Sequence, residues 1–148
     1  MRDEKASVDD IVQMIQARQS TMHSYLLPTD FDFLKRGGRL TPLAATMSGL
    51  LRIQPVVSQI PDGTRLEKFT VGRSFNIAVK KVMENLASMG VDASYRFGIS
   101  HAMVPDLAQQ VSQKMKEIFN VDTVDIFDLS CAFITQGGPH CLAIQVIK

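Results

Sequence analysis

Ile53-Gln54-Pro55-Val56-Val57-Ser58-Gln59-Ile60, then Pro61-Asp62-Gly63, then Thr64-Arg65-Leu66-Glu67-Lys68-Phe69-Thr70 carries the clearest β signal in the chain. The two runs flank a proline-aspartate-glycine turn and read as a strand, a tight turn and a returning strand, the pattern of an antiparallel hairpin. Directly downstream the apolar period lengthens. Ser74 stands as a helix cap before a stripe of Phe75, Ala78, Val79, Val82, Leu86 and Met89, and Gly90 ends it. Tyr95 to Ser100 then reads as a strand, and Pro105 opens a helix with Leu107, Ala108, Val111, Met115, Ile118 and Phe119 on one face. Two β-rich segments close the chain: Thr123 to Leu129, and Ala132 to Gln136 with its continuation Cys141 to Ile147 after the Gly137-Gly138-Pro139 turn.

Upstream of the hairpin, Ser7 and Asp10 are spaced as a capping box, and Val8, Ile11, Val12, Ile15 and Met22 recur at helical spacing, so a first helix runs from Ser7 to about Thr21. His23 to Leu27 is a short strand closed by Pro28. Thr29 or Asp30 caps Phe31 to Arg36, which Gly37-Gly38 stops with at least one positive φ. Thr41-Pro42 starts a small-residue helix from Leu43 to Leu51. A hairpin followed by strand, helix and strand units predicts an α/β domain of two layers, a mixed and partly antiparallel sheet of about six strands with helices mostly on one face.

Composition narrows the function classes. With 45% apolar and 21% charged residues over 148 positions the chain fills one globular domain, and disorder, collagen and coiled coil are excluded. Sixteen Lys and Arg against fifteen Asp and Glu leave a net charge of +1, so no strong field steers the chain onto nucleic acid. Two cysteines make no disulfide framework, and three histidines offer too few ligands for a four-ligand zinc cluster. The charged start Met1-Arg2-Asp3-Glu4-Lys5 lacks a following apolar run, and the expectation is a soluble, cytoplasmic protein.

Two clusters carry candidate chemistry. In Gly37-Gly38-Arg39 the glycines free the turn and expose backbone N–H groups, while the guanidinium holds a carboxylate or phosphate through paired hydrogen bonds; the plainer reading is a helix C-cap followed by a surface arginine. Thr135-Gln136-Gly137-Gly138-Pro139-His140 sets an amide, a hydroxyl and an imidazole beside glycines at a strand end, where open α/β sheets place ligands; its plainer reading is a tight turn with a partly exposed histidine. No P-loop or dinucleotide fingerprint is present. His101 and His23 read as strand-end histidines satisfied by the backbone, and Cys131 and Cys141 as small apolar packing. Lys80 and Lys81 read as a solvated helix face. Eight methionines and eight phenylalanines without tryptophan make a soft interior suited to a long flexible ligand.

The run Asp32-Phe33-Leu34-Lys35-Arg36-Gly37-Gly38-Arg39-Leu40, with Gly49-Leu50-Leu51-Arg52-Ile53-Gln54-Pro55-Val56, Asp62-Gly63 and the terminal Gly137-Gly138-Pro139-His140-Cys141-Leu142-Ala143-Ile144, resembles the DegV family in order and spacing across residues 7 to 148. That resemblance implies a fatty-acid-binding protein with no catalysis or cofactor of its own. It implies a carrier that buries a long acyl chain and presents the carboxylate to a separate bacterial fatty-acid kinase. It assigns the carboxylate donor to Arg39, places Gln136 where many members carry a histidine, and sets His140 where they carry a glycine. It puts Gly37, Gly38, Gly137 and Gly138 in the turns at that site and Arg73 on the kinase-facing surface. It also implies that this chain corresponds to the second domain of longer proteins. The expectation is then that surface covered by an N-terminal domain is exposed, with weak or no lipid binding by the isolated chain and self-association as a possible outcome.

Two other classes stand beside this one. An enzyme acting on a small anionic substrate would use Arg39 as clamp and His140 or His101 as general base. A pure interaction module would use an exposed apolar face to hold a partner domain.

Overall fold

The computed structural model describes residues 6–38, 40–45, 53–60 and 64–148. At the start of α1 (Val8–Arg18) the Ser7 hydroxyl accepts from the Asp10 amide at 3.2 Å, and the Asp10 carboxylate accepts from the Ser7 amide at 3.0 Å, the reciprocal capping box read from the sequence. A 3₁₀ turn, Gln19–Thr21, leads into β1 (His23–Leu27). Asp30 caps α2 (Phe31–Arg36) by accepting from the Phe33 amide at 2.9 Å, and Gly38 follows with φ +68°. α3 spans Pro42–Ala45. The rest of the helix expected to reach Leu51, and the Pro61-Asp62-Gly63 turn, lie outside the described residues.

β2 (Gln54–Gln59) and β3 (Leu66–Gly72) pair antiparallel from Gln54 opposite Gly72 to Gln59 opposite Leu66, with a bulge between Val56 and Val57. Ser74 caps α4 (Phe75–Ser88), and Gly90, at φ +79°, lies just beyond its end. Then come β4 (Arg96–His101), α5 (Pro105–Phe119), β5 (Asp125–Asp128), α6 (Cys131–Gly137) and β6 (Leu142–Ile147). The sheet order is β3-β2-β1-β6-β4-β5, antiparallel at every pair except β4 with β5. This is the mixed six-stranded α/β architecture that the sequence predicts.

Strand alternation separates the two faces of the sheet. Tyr25 and Leu27 of β1, Val56 of β2, Phe97 and Ile99 of β4, and Leu142, Ile144 and Val146 of β6 point to one side. There they form the main core with Ala78, Val79, Val82, Met83 and Leu86 of α4 and Ala108, Val111 and Met115 of α5. Both long helices lie on this face because each carries one continuous apolar stripe and follows a strand that ends beside it. A smaller cluster of Leu34, Leu40 and Val57, flanked by Leu26, Phe31 and Leu66, seats α2 on the other face.

Three expectations change. Ala132 to Gln136 is helical in α6, not a strand. Both edges of β6 are taken by β1 and β4, so a preceding strand has no edge to join, and a short apolar run fits either period. Ile118 is 53% exposed and does not share the buried face of α5. On α1, Val8, Val12 and Ile15 are exposed, Ile11 is only partly covered and no residue of the helix is buried, so its apolar stripe does not enter the core.

Gly72 tests the β3–α4 joint. A Cβ there falls 2.7 Å from the Ala78 amide nitrogen and 2.8 Å from the Ser74 carbonyl, backbone atoms that cannot step aside, whereas at Gly98 the nearest atom is 3.9 Å away on Phe127. We expect Gly72→Ala to lower unfolding free energy by about 1–3 kcal/mol. Gly98→Ala should stay within about 0.5 kcal/mol of the parent, with both measured by urea denaturation.

Candidate functional site

The face turned away from α4 and α5 floors a cavity of about 650 Å³, a volume typical of small-molecule sites. Ser24 and Leu26 of β1, Ser100 of β4, and Ala143 and Gln145 of β6 line it from the sheet, with Cys141 just ahead of β6. Leu34 of α2 and Phe133, Gln136 and Gly137 of α6 line it from above; Arg65 and Leu66 stand at one side, Asp128 and Leu129 at the other. The residues sent to this face are smaller and more polar than those sent to the core. In β6, for example, Leu142, Ile144 and Val146 face the helices while Ala143 and Gln145 face the cavity.

The two glycine turns meet at one end of this space. A Cβ on Gly37 falls 3.4 Å from the Gln136 carbonyl oxygen, one on Gly138 3.2 Å from the Phe33 ring, and one on Gly137 3.1 Å from the Cys141 sulfur. Gly138 has φ +83°, and no Cβ fits beneath the Phe33 ring. The turns therefore let the ends of α2 and α6 touch. Their amides do not serve as free donors, contrary to the expectation from sequence. Gly37 donates to the Phe33 carbonyl at 3.2 Å, Gly38 to Lys35 at 3.0 Å and Gly138 to Ile134 at 2.9 Å, all consumed in closing helix ends.

Arg39 lies outside the described residues. Gln136 is half-buried and lines the cavity beside Gly137. His140 is exposed and sits at φ +60°; its amide donates to the Ala102 carbonyl at 2.9 Å and its own carbonyl accepts from the Thr29 hydroxyl at 2.7 Å. It is not among the lining residues. Arg73 is exposed at the bend between β3 and α4, at the same edge of the sheet as the ends of β1 and β4.

His101 is buried, with its Nδ1 3.6 Å from the Asp128 carboxylate and no hydrogen bond, so the backbone does not satisfy that nitrogen as the sequence suggested. Burial lowers the pKa of His23. Cys141 is buried on the cavity floor, where desolvation pushes its thiol above the ordinary range. Cys131 is exposed at the first turn of α6, because the helix turns it outward, and the packing role expected for both cysteines holds for Cys141 alone. Lys80 is solvated beside Glu84, and Lys81 donates to the Val71 carbonyl at 2.7 Å. Ser24, Ser100, Gln145 and Arg65 were not legible as site residues. The signal available was the alternation itself, which puts every second side chain of β1 and β6 on the face opposite the core. Among the described residues, no cluster of three His, Cys, Asp or Glu is placed to hold a metal ion, and no helix is long and apolar enough to cross a membrane.

The long helices thus cover one face of the sheet, and a half-polar cavity of small-molecule size lies on the other. The chain matches the family model of uncharacterised DegV-family proteins over residues 1–148, and it belongs to that family. A DegV domain-containing protein of Clostridium acetobutylicum is 27% identical over 145 residues, covering 96% of this chain and 50% of that one. The chain spans about half the length of the curated relatives it matches. Among solved structures, a fatty acid binding DegV family protein from Streptococcus agalactiae superposes with a TM-score of 0.82 at 24% identity, over 99% of this chain and 51% of that one. A DegV family protein from Eubacterium eligens loaded with heptadecanoic acid superposes with a TM-score of 0.84 at 16% identity, over 98% and 52%.

The two cysteines give a direct test of the cavity. With iodoacetamide at neutral pH, Cys131 should be alkylated first. Cys141 should react slowly, because it is shielded and its thiolate is scarce; its rate should climb as pH rises toward its elevated pKa. Peptide mass spectrometry over time reads both sites, and equal rates would contradict the burial of Cys141.

Proposed function

We propose that this chain binds a long-chain fatty acid in the cavity between the sheet and the α2–α6 pair, and has no catalytic step of its own. The observation that carries this reading is the cavity itself, floored by Leu26, Cys141 and Ala143 and covered by Leu34 and Phe133, in a chain of the DegV family. Solved relatives of the same fold are described as fatty acid binding or as loaded with a fatty acid, which supports the ligand class. Each buried methylene contributes about 0.8 kcal/mol, so an acyl chain along this floor gains affinity without any charged wall.

The carboxylate then lies where the α2 and α6 turns meet, held by Arg39 and by the Gln136 amide, which donates hydrogen bonds but brings no charge. His140, exposed and outside the cavity lining, is left out of this donor set. In relatives of about twice this length, the additional half would close the remaining side of the carboxylate. The exposed Val8, Val12 and Ile15 of α1 form the surface assigned to that contact, or to a second copy when this chain stands alone. The partner is a fatty-acid kinase that phosphorylates the presented carboxylate, and Arg73, exposed at the β3–α4 bend, is its contact.

Lipid extraction and native mass spectrometry of the purified chain should find a fatty acid at up to one per protein. After delipidation, affinity measured by displacement of a fluorescent fatty acid should rise about fourfold per added methylene until the cavity is filled. Ala143→Phe should cut affinity at least tenfold. Absence of binding at every chain length would remove the fatty-acid reading. In the kinase-coupled assay Arg73→Glu should abolish acyl-phosphate formation while leaving fatty-acid affinity unchanged; normal turnover would take Arg73 out of the contact.

A further inference from the structure

The cavity floor is divided along the strands. Nearest the glycine turns it is apolar, with Cys141, Leu26 and Ala143; one register step further it is polar across three strands. Ser24 pairs with Gln145, and a step beyond the Tyr25–Ser58 pair Gln59 comes alongside Ser24. Ser100 of β4, which pairs with Ala143 one step back, reaches diagonally and donates from its hydroxyl to Gln145 Oε1 at 3.3 Å. Gly98, which faces Gln145 across the β4–β6 ladder, has no side chain to cover the amide. With its Oε1 accepting from Ser100, Gln145 presents its side-chain N–H groups as donors.

A plain alkyl chain laid over this row would take water from an amide and two hydroxyl-bearing positions and return nothing, which is unfavourable for each polar group so covered. A chain carrying an oxygen at that point would restore the bond. Gln145 lies four residues along β6 from Cys141, about 13 Å in an extended strand, so a carboxylate anchored at the glycine turns puts the middle of a long acyl chain over the polar row.

We propose that this cavity selects fatty acids oxygenated in mid-chain, hydroxy or oxo acids, over their unsubstituted counterparts, with Gln145, Ser24 and Ser100 as the groups that read the oxygen. This rests on the fatty-acid reading above and adds the substrate class to it.

The test compares delipidated protein with stearic acid and with stearic acids hydroxylated next to the carboxylate, at mid-chain and near the methyl end, by isothermal titration. The mid-chain isomer should bind about tenfold tighter than stearic acid, while the other two isomers gain nothing. Gln145→Leu, at a solvent-accessible position, should reverse the preference, and Ser24→Ala should reduce it, with far-ultraviolet circular dichroism confirming the fold of both. Stearic acid binding as tightly as the mid-chain isomer overturns the oxygen preference and leaves fatty-acid binding intact. Binding of none of the four acids overturns both readings. A preference that survives in both variants removes these residues as its source.

Discussion

The pairing of β6 between β1 and β4 is the constraint on which the rest of the structure depends. Five of its register pairs bind it to β1, from His23 opposite Val146 to Leu27 opposite Leu142, and six bind it to β4. Because side chains alternate, a one-residue slip would turn Leu142, Ile144 and Val146 out of the core and bring Ala143 and Gln145 into it. The large aliphatic residues on one side and the small or polar ones on the other lock the register, and with it the position of both the core and the cavity. α4 and α5 then occupy the face that needs covering most.

The second face is governed by close approach. α2 and α6 are six and seven residues long, too short to hold a position by their own stability. They are fixed by contact with the sheet and with each other. A Cβ on Gly138 would press on Phe33 of α2 and one on Gly137 on Cys141, and helix closure uses the amides of Gly37, Gly38 and Gly138. The glycines thus shape the end of the cavity, and ligand recognition there falls to side chains. Along the strands the floor changes from Cys141, Leu26 and Ala143 next to the glycine turns to Ser24 and Gln145 two residues further on.

Much of this architecture was legible before any coordinate. The capping serines Ser7 and Ser74, the cap at Asp30, the glycine stop at Gly90 and the β2–β3 pairing are local matters of hydrogen bonding and backbone freedom, and they stand where the pattern put them. Segment 132–136 misled because a run of three apolar residues has no period, and only the occupancy of both edges of β6 rules out a strand there. Ile118 and the α1 stripe misled for a related reason: a helical period says which residues share a face, but not whether another element covers it.

From the sequence, then, came every element type but that of segment 132–136, the α/β class and membership of the DegV family, since these rest on local propensity, capping and motif order. Tertiary structure alone decided that the turns at Gly37 and Gly137 abut, although a hundred residues separate them, and that Cys141 is buried while Cys131 is exposed. It also decided that Ser24 and Gln145 stand side by side and that Ser100, one step along β4, bonds to Gln145. Their neighbourhood is made by strand order and register, which arise from pairing between distant segments, and no short stretch of the chain encodes them.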